Sequence, residues 1–328
     1  MMKISVLMAA LFVSANAMAD VVLYTDRPTS RIQPAANEFE ARTGQKVQIV
    51  EMPYGKLLER LKAEGESSPV DLIFVKDMVY LAELSKGGFF QPMVTPAVTG
   101  LVDAQMQDPG KLWNAVTYRV RTLVYDPAQV NPDEINTYED LADAKWAGRL
   151  CLRTSNGGYN EALVSNLIHN LGYDAAKTVV DGWVQNLAID PTRNDNAVIE
   201  AIALGQCAVG LVNSYYLAGY YATNANFPVK IKWLNQNTTG AHANGSGIGI
   251  AATSKQAKLA EQFIGLMLEE KFQLQMSSEH LDFPALKGLL PNTFIKDWGT
   301  PKLDMGNWTV VGDRAPEARK LFQEVSYK

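Results

Sequence analysis

Hydrophobic positions along the chain fall into two kinds of run. Short continuous apolar runs are typical of buried strands, and longer segments with apolar residues every three or four positions are typical of helices. The first such pair is the strand VVLYT at 21–25 and the helix IQPAANEFEARTG at 32–44, which Gly44 is expected to end. Because strands and helices alternate, the pattern predicts an α/β fold of parallel sheets with helices on their faces.

The same alternation continues to the end of the chain. Strands are predicted at 46–52, 71–77, 118–126, 148–155, 207–213 and 245–252. Helices are predicted at 55–65, 78–88, 138–146, 160–172, 197–206, 254–279 and 313–326. The pattern restarts after a turn-rich segment near Pro109, which indicates two lobes of similar size. Ligands of such sheets bind outside the carboxyl ends of the strands, so we expect a ligand cleft between the lobes.

The first 19 residues have the pattern of a cleaved secretory signal peptide. Lys3 is their only charge, an apolar run covers 4–13, and the small-x-small triplet Ala17-Met18-Ala19 precedes Asp20. The apolar run is shorter than a membrane span, and no later segment reaches the roughly 20 apolar residues that a span needs. We therefore expect a soluble, exported protein that begins near Asp20.

Composition narrows the function further. The chain has 47% hydrophobic and 20% charged residues and a net charge of −5, with both signs interspersed. Nucleic acid binding needs clustered Lys and Arg, so this class of function is disfavoured.

The only two cysteines, Cys151 and Cys207, lie in strand-like runs. In an exported protein such a pair favours a disulfide over two buried free thiols, with a contribution of about 4 kcal/mol to stability.

Four tyrosines crowd the stretch LVNSYYLAGYY at 211–221. Taken alone, they fit the ordinary place of Tyr at the rim of a core. However, the order of LYTDRP, IQPAANEFEARTGQKV, YRVRTLVYD, RLCLRTSNGGYNEAL and GQCAVGLVNSYYLAG resembles the periplasmic ferric-ion-binding proteins of ABC importers, over essentially the whole chain after residue 19. This resemblance implies an α/β, two-lobed type II periplasmic binding protein fold, with mixed sheets flanked by helices and a ligand cleft between the lobes. It implies a first lobe of 20–118 and 241–290, and a second lobe of 119–240 and 291–328.

The resemblance also implies a set of metal ligands. The adjacent pair Tyr215 and Tyr216 would supply two ligands and Tyr159 a third, and three phenolates would neutralise the charge of ferric iron. Tyr24, at the end of the first strand, is a further candidate. Some family members have His-Tyr a few residues later, where this chain has Pro28-Thr29, so the three-tyrosine branch without a histidine is the closer match.

In that branch an exogenous anion such as bicarbonate completes the iron shell, and arginines are its expected partners. Arg119 and Arg121 alternate on one strand, so both point to one face of it. Arg119 is the first candidate, Arg121 the second, and Arg27 in the first loop a weaker third. The alternative for Arg119 and Arg121 is that they lie on a solvated face of the strand and bind no anion. Tyr220 and Tyr221 lie beyond the motif and are expected only to pack.

The sequence thus predicts a periplasmic solute-binding protein that is monomeric, captures ferric iron and delivers it to an inner-membrane ABC permease. A binder of a small organic anion, such as a phosphonate or carboxylate, is the alternative. An exported α/β enzyme is disfavoured because no nucleophile, acid and base are grouped. The histidines at 169, 242 and 280 are expected to be structural or exposed, and the polar run 193–196, with Asp195 as its one carboxylate, indicates nothing specific.

Overall fold

The computed structural model describes residues 20–96, 98–156, 158–291, 294–304 and 306–328, so the predicted signal peptide lies outside the described residues. The strands are β1 Val21–Thr25, β2 Val47–Glu51, β3 Leu72–Val75, β4 Phe90–Gln91, β5 Trp113–Tyr125, β6 Leu150–Cys151, β7 Val209–Asn213, β8 Lys230–Lys232, β9 Ala243–Ala251 and β10 Phe283–Pro284. The α-helices are α1 Gln33–Thr43, α2 Tyr54–Glu64, α3 Met78–Lys86, α4 Gly158–Leu171, α5 Tyr173–Gln185, α6 Asp195–Ala203, α7 Ser214–Thr223, α8 Ala257–Met267, α9 Glu270–His280, α10 Trp308–Gly312 and α11 Ala315–Glu324. Short 3-10 helices lie at Thr29–Arg31, Gly65–Ser67, Ala104–Met106, Pro132–Glu134, Glu139–Ala142, Ala144–Trp146 and Phe294–Trp298.

The strands form one mixed sheet in the order β2-β1-β3-β9-β5-β7-β6, which confirms the predicted α/β class. β1 pairs in parallel with β2 and β3, and β6 pairs in parallel with β7. β9 is antiparallel to both β3 and β5, and β5 is antiparallel to β7. The helices cover the sheet, and no helix among the described residues is both long and apolar enough to cross a membrane.

Strand β5 joins the two halves of the sheet because it changes its partner along its length. Its residues from Trp113 to Val120 pair with β9, and its residues from Arg121 to Tyr125 pair with β7. Arg119 therefore lies in one half of the sheet and Arg121 in the other. The sequence prediction found only the second part of this strand, at 118–126.

The apolar core is divided in a similar way. The largest cluster draws mainly on 21–116 and 243–285, and a second cluster on 123–234 and 318–327. Trp308 and Val311 of α10 join the first cluster. The division into two lobes stays a prediction. The clusters support it except at α10 and at Ala162 and Ala315, which also belong to the first cluster.

The glycines of β9 allow helices to pack directly on the strand. A Cβ atom at Gly245 would lie 2.5 Å from the Trp308 ring, and one at Gly247 would lie 2.6 Å from the Leu81 side chain. The glycine-rich run is therefore explained by close packing. It does not need a role in binding a nucleotide.

The predicted disulfide is present. Cys151 ends β6 and Cys207 lies two residues before β7, and their Cα atoms are 5.9 Å apart in the bonded pair. Since β6 leads toward α4 and β7 leads directly into α7, the bridge ties together the two segments that carry the tyrosines of interest.

Two predicted helices differ from the observed structure, and two observed helices, α5 and the short α10, were not predicted. Residues 138–146 form two 3-10 turns, because Asp140 accepts from the amides of Asn136 and Thr137, and Asp143 accepts from that of Lys145. These side-chain contacts compete with a regular helix. The long helix at 254–279 is broken into α8 and α9, and α5 was missed.

The break between α8 and α9 has a tertiary cause. The buried amide of Gln273 donates to the carbonyl of Met267, at the end of α8, and to that of Val116 on β5. Glu269 takes an extended conformation before α9 begins. Neither Gly nor Pro marks this break, so the local sequence carried no sign of it.

Candidate functional site

Tyr215 and Tyr216 lie where a buried strand passes into a helix. All five residues of β7 are buried, and α7 begins at Ser214, so both tyrosines occupy the first turn at the carboxyl end of the strand. Their ring centroids are 4.3 Å apart, and both side chains are half-buried. This is the placement that the sequence predicted for the pair.

Tyr159 joins this pair from a separate helix. It is the second residue of α4, and its hydroxyl lies 3.2 Å from the hydroxyl of Tyr215. The structure therefore brings together the three tyrosines that were proposed from the resemblance. Because α4 and α7 both begin here, the partial positive charge of two helix N-termini acts on the phenols and favours their anionic form.

Without a cation, the surroundings oppose ionisation of these phenols. Burial raises the pKa of Tyr215 well above its usual value, and repulsion from Tyr159 and Tyr216 adds to this, while Arg119 acts in the opposite direction. Burial also raises the pKa of Tyr216, again with repulsion from Tyr159. A cation bound by these oxygens would have to displace their protons.

Arg119 lies against this cluster and is only 2% exposed. Its guanidinium is centred 4.8 Å from the Tyr159 ring centroid. It donates to the carbonyl of Lys76 and to the carboxylate of Asp77 at 3.2 Å, whereas its buried Nε–H has no partner among the described residues. One donor of Arg119 is thus left for another acceptor.

Arg121 is 1% exposed and its terminal nitrogens are engaged. They donate to the carboxylate of Asp195, to Oδ1 of Asn160 at 2.8 Å and to Oδ1 of Asn213 at 3.5 Å. Asn160 follows Tyr159 and Asn213 precedes α7, so Arg121 links the two segments that carry the phenols. Since both arginines are buried, the alternative of a solvated strand face was wrong.

Asp195 is the site residue that sequence reasoning dismissed. It is fully buried at the start of α6 and accepts from Arg121 and from the amide of Asn213 at 2.8 Å, and Arg153 lies 3.6 Å from its other oxygen. The interpretation of 193–196 as a polar run without specific meaning was therefore wrong. The signal that could have found it is Asn194, which caps α6 through the amide of Ala197 at 2.9 Å and marks a helix start.

A second group of charges faces the phenols from the segment after β1. Arg27 and Arg31 both contact the buried carboxylate of Asp282, at 3.3 and 3.2 Å. Burial and the charge of Arg27 lower the pKa of Arg31, while Asp282 and the phenols of Tyr215 and Tyr159 act in the opposite direction. Arg31, which was not predicted, therefore lies within electrostatic range of the phenols. Two cations share one carboxylate here, which leaves a net positive charge.

Comparisons with known proteins identify the family of this chain. The model of the family described as bacterial extracellular solute-binding protein matches residues 24–274. The chain belongs to this family. The iron uptake protein A1 of Synechocystis is 31% identical to this solute-binding protein, over 94% of this chain and 88% of that protein.

Solved structures are similar over nearly the whole solute-binding protein. The Trichodesmium protein IdiA (FutA) in complex with iron and citrate has a TM-score of 0.89 and 32% identity, over 94% of this chain and 100% of that one. The ferric binding protein from Campylobacter jejuni has a TM-score of 0.86 and 27% identity, over 94% and 100%. The predicted type II periplasmic binding protein fold is thereby confirmed.

Tyr24 of this solute-binding protein is engaged elsewhere. It is fully buried, its hydroxyl donates to Oε1 of Glu64 at 3.0 Å, and Arg60 lies 4.4 Å above its ring. Burial and the bond to Glu64 raise the pKa of Tyr24 to about 12. The structure joins Tyr24 to α2 and not to the three phenols, and its role as a ligand stays a prediction.

The remaining tyrosines of the motif pack as predicted. Tyr220 bonds to Glu200 and stacks on Phe227, and Tyr221 donates to the carbonyl of Val229 at 3.0 Å. Among the described residues, no three His, Cys, Asp or Glu side chains are grouped as a metal site would require. The phenol cluster is the candidate site.

Proposed function

We propose that this solute-binding protein captures ferric iron in the periplasm and delivers it to an inner-membrane ABC permease. The observation that carries the proposal is the convergence of the phenol oxygens, with the hydroxyls of Tyr159 and Tyr215 3.2 Å apart. Ferric ion is a small hard cation that prefers anionic oxygen donors. The names of the similar proteins, which refer to iron uptake and ferric binding, support the same substrate.

In this proposal Tyr159, Tyr215 and Tyr216 bind iron as phenolates. A phenol ordinarily loses its proton near pH 10, but a nearby multivalent cation strongly favours the charged form. Three phenolates balance the three positive charges of the ion. The cleft around the ion then needs no carboxylate ligand for charge balance.

An exogenous anion such as bicarbonate would complete the shell, with Arg119 as its first partner. The position of Arg119 beside the Tyr159 ring supports this role, and its Nε–H has no partner among the described residues. Arg27 and Arg31 carry the net positive charge on the other side of the phenols and are the next candidates. Arg121 is a weaker candidate than Arg119, because its terminal nitrogens hold Asp195, Asn160 and Asn213, whereas the guanidinium of Arg119 lies against the Tyr159 ring.

The same arginines would also suit the alternative function, in which the transported solute is a small organic anion. In that case a carboxylate or phosphonate would bind without iron. The two functions differ in a simple measurement, since phenolate bound to ferric ion absorbs visible light and an arginine-bound anion does not.

The test is to load the purified protein with ferric nitrilotriacetate and record its visible spectrum before and after chelation. We expect a charge-transfer band that is lost on chelation, and lost or much reduced in Tyr215→Phe. Tyr221→Phe, on the same helix but bonded to Val229, is the matched control and should keep the band. A colourless parent protein that binds carboxylates or phosphonates without iron would establish the alternative instead.

A further inference from the structure

Tyr327 is distant in sequence from the phenol cluster but is connected to it by hydrogen bonds. Its hydroxyl is buried, donates to the carbonyl of Arg153 at 2.7 Å and accepts from Nδ2 of Asn160 at 2.8 Å. Arg153 lies in the segment that leads to α4, and Asn160 is in the first turn of that helix. Tyr327 therefore ties the approach to α4 to the helix itself.

The side chain of Asn160 is held from two directions. Its Oδ1 accepts from Arg121 at 2.8 Å, and its Nδ2 donates to Tyr327 and to the carbonyls of Arg153 and Thr154 at 3.1 and 3.3 Å. Every polar atom of this amide has a partner. Tyr159 is the preceding residue on the same turn, so the network holds the backbone next to the one that carries its ring.

The other end of the network holds the second tyrosine segment. Asp195 accepts from Arg121 and from the amide of Asn213, the last residue of β7 before α7 begins. Tyr327, Asn160, Arg121 and Asp195 thus form a continuous chain between the start of α4 and the start of α7. This chain connects the two segments that carry Tyr159 and Tyr215.

We propose that Tyr327 is a positioning residue for Tyr159, acting through Asn160 and without touching the solute. The proposal rests on the proposed function only for its iron measurement. Partners outside the ligand shell of a metal typically change metal affinity by 10–100-fold when they are removed. Since Tyr327 acts through one intermediate residue, we expect about a 10-fold loss.

The test compares Tyr327→Phe with Tyr221→Phe. Both changes remove one hydroxyl that donates to a backbone carbonyl and accepts from a side-chain nitrogen, which for Tyr221 are the carbonyl of Val229 and Nζ of Lys230. Both keep the aromatic ring in place. They differ in that only Tyr327 is connected to Asn160.

Two readouts are needed. In the apo proteins, the ring signal of Tyr159 is followed by NMR with labelled tyrosine, and we expect it to shift in Tyr327→Phe and to stay in place in Tyr221→Phe. In the iron-loaded proteins, we expect a weaker ferric affinity and a displaced charge-transfer band in Tyr327→Phe only.

An unchanged Tyr159 ring signal in Tyr327→Phe would overturn the proposal, as would an equal loss of iron affinity in the two variants. If the parent protein bound no iron, the proposed function would fail, and the ring signal of the apo proteins would still decide whether Tyr327 positions Tyr159.

Discussion

The number of protons released on iron binding tests the ligand set directly. The phenols of Tyr215 and Tyr216 have raised pKa values because they are buried, so both carry protons at neutral pH before iron binds. If Tyr159, Tyr215 and Tyr216 all bind as phenolates, each ferric ion displaces three phenol protons. The conditional affinity then falls about 1,000-fold for each unit by which pH is lowered, since protons compete with the metal for each ligand.

Replacing Tyr216 by Phe removes one of these protons. The ring remains packed 4.3 Å from that of Tyr215, so the thermal stability of the apo protein should change little. We expect the variant to release one proton fewer than the parent and its affinity to fall only about 100-fold per pH unit. At fixed pH we expect a loss in affinity of more than about 100-fold, or about 2.7 kcal/mol.

The assay is iron loading from ferric nitrilotriacetate in weakly buffered solution that contains a pH indicator, at protein concentrations that saturate each variant. The protons that ferric nitrilotriacetate itself releases or takes up are the same for every protein. The difference in released protons between parent and variant therefore counts the phenol proton. Tyr221→Phe, whose hydroxyl bonds to Val229, should match the parent. A Tyr216→Phe variant that releases as many protons as the parent would refute the ligand set.

Three further predictions concern other parts of the site. Arg119→Gln should weaken iron binding mainly when bicarbonate is present, and an equal loss without the anion would mean that Arg119 supports the fold or the metal shell instead. Reduction of the Cys151–Cys207 disulfide should lower stability by about 4 kcal/mol in denaturant unfolding, and an unchanged midpoint would contradict this. Burial lowers the pKa of His242 from 6.5 to about 3, so the folded state loses stability as pH falls from 6.5 towards 3. His242→Asn should reduce this loss in thermal melts, and identical pH profiles for parent and variant would refute it.

The parts of the site that could be predicted from the sequence are those with a local signal. Tyr215 and Tyr216 follow an apolar strand, and Tyr159 lies beside the start of a helix, so their positions at strand ends followed from the pattern and the resemblance. The disulfide followed from there being only two cysteines in a chain with a predicted export signal. Each of these inferences needed only a few neighbouring residues.

The parts that were missed depend on contacts between distant segments. Arg31 contacts the carboxylate of Asp282. Asp195 accepts from Arg121, which lies 74 residues away in the chain. Tyr327 reaches Asn160 across 167 residues. A buried carboxylate is recognised by the cations that surround it in space, so a single carboxylate in a polar run gave no warning.

The two arginines of β5 show why a shared motif does not imply a shared role. Their alternation predicted that both point to one side of the strand, but β5 changes its partner between them. Arg119 meets Asp77 at the start of α3 and lies beside the Tyr159 ring. Arg121 meets Asp195 and Asn160, and its terminal nitrogens connect the two tyrosine segments. Each arginine keeps a buried Nε–H with no partner among the described residues, so their positions decide the proposed roles: Arg119, beside the phenols, binds the anion, and Arg121 links the segments that carry the phenols.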